Sequence, residues 1–101
     1  MAKMTGGQAI VRTLTGHGID TIFGLPGVQL DNTFDALYEA RNAIRTIHTR
    51  HEQGAAYMAL GYAQSSGKVG ACIVGPGPGL LNTGAALATA AASNAPVLCI
   101  G

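Results

Sequence analysis

Four short runs rich in β-branched and apolar residues, at 21–24, 44–49, 69–74 and 96–100, recur along the chain, flanked by Gly, Pro or Asn and separated by helix-length stretches. Such runs read as strands. Parallel strands need a crossover connection, usually a helix, whereas a hairpin needs only a tight turn. Strands that alternate with helices therefore imply an α/β domain, a parallel sheet with helices on both faces. At 101 residues, one hydrophobic core is expected.

Four helices fit between the strands. The first spans 5–16, with Thr5 as N-cap, Ile10, Val11 and Leu14 forming an apolar stripe, and Gly16 and Gly18 stopping it. The second covers 32–40, where Phe34, Leu37 and Tyr38 recur at helical spacing. The third covers 52–65 and the fourth, rich in Ala, 80–93. The sequence stops directly after the 96–100 strand, where an α/β unit rarely ends, so an incomplete domain is expected.

Charge is distributed unevenly. Of eleven charged residues, ten lie at or before Glu52 and only Lys68 follows it. A free domain surface normally carries more charge than that, so the second half is expected to pack against another domain or subunit. Its third and fourth helices are full of Gly and Ala, which suits close helix contact across such an interface. A formal net charge of +1 offers no basic stripe for nucleic acid and no cluster for a membrane surface. No apolar run is long enough to span a bilayer, and the first residues lack the pattern of a secretory signal, so a cytoplasmic protein is expected. Cys72 and Cys99 sit in apolar stretches without a partner at metal or redox spacing, and both read as core fillers.

Open parallel sheets place ligands at the carboxyl ends of their strands. The loops to inspect are therefore 25–30, 50–52 and 75–79. The first follows Gly24-Leu25-Pro26-Gly27, whose Pro-Gly pair fits a type II turn. The second carries Glu52 in the run Arg50-His51-Glu52-Gln53-Gly54. By itself, a glutamate there is explained by the helix dipole, and no metal site is read at this run. The third, Gly75-Pro76-Gly77-Pro78-Gly79-Leu80-Leu81-Asn82, approaches the dinucleotide-binding fingerprint but has Asn82 at its third glycine. Its two prolines remove amide donors, and no acid follows Glu52 to hold a ribose.

Taken in order, the GLPG turn, RHEQGAAYMALGYA and GPGLLN resemble the N-terminal pyrimidine-binding domain of thiamine-diphosphate-dependent enzymes, the group of acetolactate synthases, 2-oxoacid decarboxylases and benzaldehyde lyase. The likeness runs from about Thr5 to Gly101, and RHEQ to GYA is its specific part. It implies that Glu52 is catalytic, hydrogen-bonding N1′ of the cofactor's aminopyrimidine and favouring the imino tautomer that takes the thiazolium C2 proton. An apolar pocket would raise its pKa for that task. It implies that Pro26 touches the ring, that Asn82 shapes the pocket, and that Gly75 lies where relatives place a lining side chain. Synthase-type relatives have Thr-Ser before GPG, whereas this chain has Gly75-Pro76, so neither hydroxyl is available.

The resemblance also implies partners. Residues 1–101 would be the front of the pyrimidine-binding domain. Mg²⁺ and the diphosphate would be held by a separate domain with a Gly-Asp-Gly motif, which this sequence lacks. The active site would form against that domain of a second subunit, in a homodimer or homotetramer, and this chain alone would be inactive. The substrate would be a 2-oxoacid or related small carbonyl compound, undergoing carbon–carbon cleavage or ligation, and FAD is left open as an additional cofactor. Two other readings stand beside this one: a non-catalytic α/β assembly module and a Rossmann-type nucleotide binder.

Overall fold

The computed structural model describes residues 3–101. Helix α1 (Gly6–Gly16) begins where expected: the Thr5 side chain accepts from the Gln8 amide at 3.1 Å, and the Gln8 side chain accepts from the Thr5 amide at 3.0 Å. This reciprocal capping box satisfies two amides that the helix cannot. Thr5→Ala should lower stability by about 1 kcal/mol, read from the shift of the denaturation midpoint at unchanged urea slope.

Strand β1 (Thr21–Gly24) follows, then a single 3-10 turn (Val28–Leu30) and helix α2 (Asp31–Glu39). Next come strand β2 (Arg45–His48), helix α3 (Glu52–Ser66) and strand β3 (Gly70–Ile73). The strands match their expected places, β2, β3 and β4 (Val97–Ile100) being trimmed at their ends. The fourth helix does not form as one piece. Pro78–Leu81 makes a single turn, α4, and Gly84–Ala92 forms a separate helix, α5. At the joint, Thr83 is fully buried and its hydroxyl donates to the Leu80 carbonyl at 2.6 Å. A hydroxyl that bonds nearby backbone competes with the helical ladder, which explains the break.

The sheet is parallel throughout, in the order β2-β1-β3-β4. Its central strands are apolar on both sides, and all four residues of β3 are buried, as expected of a sheet covered twice. On one face Ile22, Ala71 and Ile73 pack with Val11 and Leu14 of α1 and with Ala36 and Leu37 of α2. On the other face Phe23, Cys72 and Val74 pack with Ala55, Ala56 and Ala59 of α3 and Ala86 of α5. The two-faced α/β architecture is therefore present.

The small residues of α3 are used inside the domain. Ala55, Ala56, Ala59 and Ala63 face the sheet and α5, while Tyr57 and Met58 face outward, each about two-fifths exposed. The close helix contact expected across an interface is thus largely a contact of α3 with β3 and α5. Cys72 and Cys99 are free thiols that pair directly across β3 and β4. Cys72 is buried as expected; Cys99 is only half-buried, because β4 lies at the sheet edge. No helix among the described residues is long and apolar enough to cross a membrane.

Candidate functional site

The strand order creates the site. From β1 the chain crosses to β2 on one side, and from β2 it returns over the sheet to β3 on the other side of β1. The loops that leave β1 and β3 consequently diverge, and the crevice between them is the ligand position of a doubly wound sheet. The turn after β1, the start of α3 after β2, and the glycine loop after β3 all lie at this carboxyl edge. The amide of Leu25 donates to the Ile73 carbonyl at 3.3 Å, tying the β1 loop to the end of β3.

Glu52 is the first residue of α3. Its position is set by a short hydrogen-bonded frame. The amide of Thr49 donates to the Gly24 carbonyl at 2.9 Å, and the buried Thr49 hydroxyl donates to the His51 carbonyl at 3.0 Å. His51 is the N-cap in extended conformation, and its Nδ1 accepts from the Gln53 amide at 3.0 Å. His51 thus serves the helix start, and the Glu52 carboxyl is turned toward the glycine loop.

The Glu52 carboxylate meets the glycine loop there. Its Oε1 accepts from Asn82 Nδ2 at 3.1 Å, although the two residues are 30 positions apart. A Cβ at Gly79 would lie 3.2 Å from Oε2, so the glycine leaves that oxygen unobstructed. Glu52 is half-buried. Its pKa is held below the usual carboxylate value by its own backbone amide at the open start of α3 and by the Asn82 amide, with the His51 charge a smaller cause. This corrects the expected upward shift: two donors outweigh the modest desolvation of a carboxyl that remains partly open to water.

The other expected site residues are placed as follows. Pro26 is exposed on the β1 loop, and no hydrogen bond among the described residues links that loop to Glu52. Gly75 is half-buried at the end of β3, with open space where a side chain would stand. Asn82 caps the short α4 turn, beyond which the expected continuous helix is interrupted. Gly79 belongs to the glycine loop that the sequence marked out, whereas Thr83 was not singled out; the window Asn82-Thr83-Gly84, poor in helix propensity, was the available signal.

A parallel α/β domain with one carboxylate and two glycine turns gathered at the carboxyl edge of its sheet has the layout of the ligand-binding domains of doubly wound proteins. The family described as "Thiamine pyrophosphate enzyme, N-terminal TPP binding domain" matches residues 4–101, and the chain belongs to that family. It is 47% identical over 97 residues to a protein named "Probable 2-ketoarginine decarboxylase AruI" from Pseudomonas aeruginosa, with 96% of this chain and 17% of the relative covered. It is 45% identical over 100 residues to an acetolactate synthase from Arthrospira platensis, covering 97% of this chain and 17% of that protein. Acetolactate synthase isozyme 2 large subunit from Escherichia coli is 42% identical over 97 residues, at 96% and 17% coverage. The chain therefore spans about a sixth of the length of these relatives.

Proposed function

We propose that this chain supplies the aminopyrimidine side of the active site in a thiamine-diphosphate-dependent lyase or transferase. Its substrates are 2-oxoacids or related carbonyl compounds, cleaved or joined at the bond next to the carbonyl. The observation that carries this reading is the Glu52 carboxylate at the carboxyl edge of the sheet, one oxygen held by Asn82 and the other facing the space left by Gly79. A carboxyl group of that kind fits a heteroaromatic nitrogen, because it can accept or give a proton along one hydrogen bond.

Glu52 would hold the ring nitrogen, Pro26 and Gly75 would border the ring, and Asn82 would shape the pocket through its bond to the carboxyl. When bound, the cofactor supplies the electron sink for bond changes at the carbonyl carbon. The chain's own part is to orient and to manage one proton. Thr49 and His51 fix the start of α3, Asn82 limits rotation of the carboxyl, and the carboxyl stores or delivers the proton at its free oxygen. Gly75 and Gly79 keep side chains out of the space the ring needs.

The rest of the enzyme lies outside this chain in this reading. The diphosphate and Mg²⁺ are held by the diphosphate-binding domain of a second subunit, in a homodimer or homotetramer located in the cytoplasm, and the 101 residues alone are inactive. Support for a covering partner comes from the outward Tyr57, Met58, Leu81 and Leu98 in a half that carries one charged residue after Glu52. The nucleotide-binding alternative is less well supported, since the glycine loop leads into a single four-residue turn with Pro78 at its start.

The test is calorimetric titration of the full-length protein with thiamine diphosphate in the presence of Mg²⁺, followed by assay of CO₂ release from pyruvate and longer 2-oxoacids. Saturable binding is expected. A protein that binds no thiamine diphosphate under these conditions would remove the proposal and favour the assembly module.

A further inference from the structure

The resemblance implies that Asn82 shapes the cofactor pocket, and the structure gives its side chain one specific partner there. Its amide donates to Glu52 Oε1 at 3.1 Å. An amide turned the other way would set its oxygen against the carboxylate, so the donor orientation follows from the partner. The contact depends on the break between α4 and α5. Asn82 ends the α4 turn, its own amide donating to the Pro78 carbonyl at 3.1 Å. The next residue, Thr83, is fully buried and grips the Leu80 carbonyl with both its hydroxyl, at 2.6 Å, and its amide, at 3.0 Å. These two hydrogen bonds to one carbonyl stiffen the joint and present Asn82 to Glu52.

We propose that Asn82 is a positioning residue for Glu52, acting through the carboxyl and not on the cofactor itself. The amide occupies Oε1 and fixes the rotation of the carboxyl, so Oε2, beside Gly79, becomes the oxygen available to a ligand. The broken helix is the device that makes this alignment, since it orients the chain at residue 82 independently of α5. This inference rests on the reading of Glu52 as the carboxylate that meets the cofactor, and it assigns the selection of one oxygen to a residue outside the reaction.

The consequence can be read without cofactor. Donation from Asn82 favours the ionised carboxyl, so its loss must raise the pH at which Glu52 takes up a proton. The other groups that bear on Glu52 are its own backbone amide and the adjacent His51. Arg50 is exposed on the same loop. The β1 loop and the segment from Gly75 to Asn82 carry no ionisable side chain, and Lys68 pairs with Asp20 at 3.8 Å, before the start of β1.

The experiment is an infrared titration of the cofactor-free, full-length protein labelled with ¹³C-glutamate, with Glu52→Gln as the blank that isolates the Glu52 band. Asn82→Ala should move the Glu52 midpoint upward. Asn82→Asp should move it further, since a second carboxylate at hydrogen-bond distance opposes ionisation and the pair then titrates together. Both substitutions lie at an exposed position, and circular dichroism checks that the fold is kept. Midpoints unchanged from wild type in both variants would overturn the proposal. Because no cofactor enters the titration, its result separates from the reading of Glu52: a shifted midpoint alongside an unimpaired Glu52→Gln enzyme would retain the positioning contact and reject the cofactor role.

Discussion

Glu52→Gln in the full-length enzyme is expected to lower kcat by about 10²–10⁴-fold, the usual contribution of a positioned acid or base, while leaving the fold intact. The two side chains have the same shape, and a glutamine oxygen can still accept from Asn82, so the frame built by Thr49, His51 and Asn82 survives. What disappears is the capacity to exchange a proton at the second oxygen. Glu52 is half-buried and touches no core cluster, and surface changes of this sort rarely move stability much. Circular dichroism and thermal unfolding should therefore match wild type while turnover collapses. Glu52→Asp keeps the acid but withdraws it by one methylene, away from Gly79 and Asn82, and should fall between the two. A Glu52→Gln enzyme turning over near the wild-type rate would mean that the carboxyl serves the helix start alone.

The parts of this molecule that depend on local chemistry were legible in the sequence. Thr5 was readable as the N-cap of α1, to which the structure adds the reciprocal bond from Gln8, and the bounds of β1 coincide with the expected run because Gly24 ends it. The placement of Glu52 followed from the general rule that parallel sheets gather their sites at one edge. Relations across the fold were not legible. That Asn82 reaches Glu52 over 30 residues depends on β3 lying beside β1 and on the joint at Thr83. Alanine propensity argued for one continuous helix from 80 to 93, and a single buried hydroxyl outweighed it. The direction of the Glu52 pKa was misjudged for the same reason: it is decided by donors that only the folded loops bring near.

Gly70 shows how far such a tertiary relation can go, and it supports the largest stability effect expected here. It begins β3, and its amide donates to the Pro96 carbonyl at 2.9 Å. A Cβ at this position would lie 2.0 Å from the Ala59 carbonyl oxygen and 2.8 Å from the carbonyl carbon of the same residue. Both are backbone atoms in the middle of α3, so no rotamer change can relieve the clash. The whole helix would have to lift from the sheet, opening the contacts of Ala55, Ala56 and Ala59 with Phe23, Cys72 and Val74. Overpacking typically costs about 1–3 kcal/mol, and a backbone contact this close belongs at the upper end or beyond. The gain from a stiffer unfolded chain, roughly 0.4–1 kcal/mol for Gly→Ala, is too small to offset it. Gly70→Ala should therefore lower the unfolding midpoint and the soluble yield markedly. It should also reduce kcat, because α3 carries Glu52 and a displacement of about 1 Å can cost roughly 10²-fold. Gly61→Ala supplies the control: it lies on the outer side of the same helix with nothing within 4 Å of the added carbon, and should stabilise by up to about 1 kcal/mol. If Gly70→Ala proved as stable as Gly61→Ala in parallel thermal melts, α3 could not rest on β3 as closely as described, and the placement of Glu52 at the end of that helix would have to be drawn again.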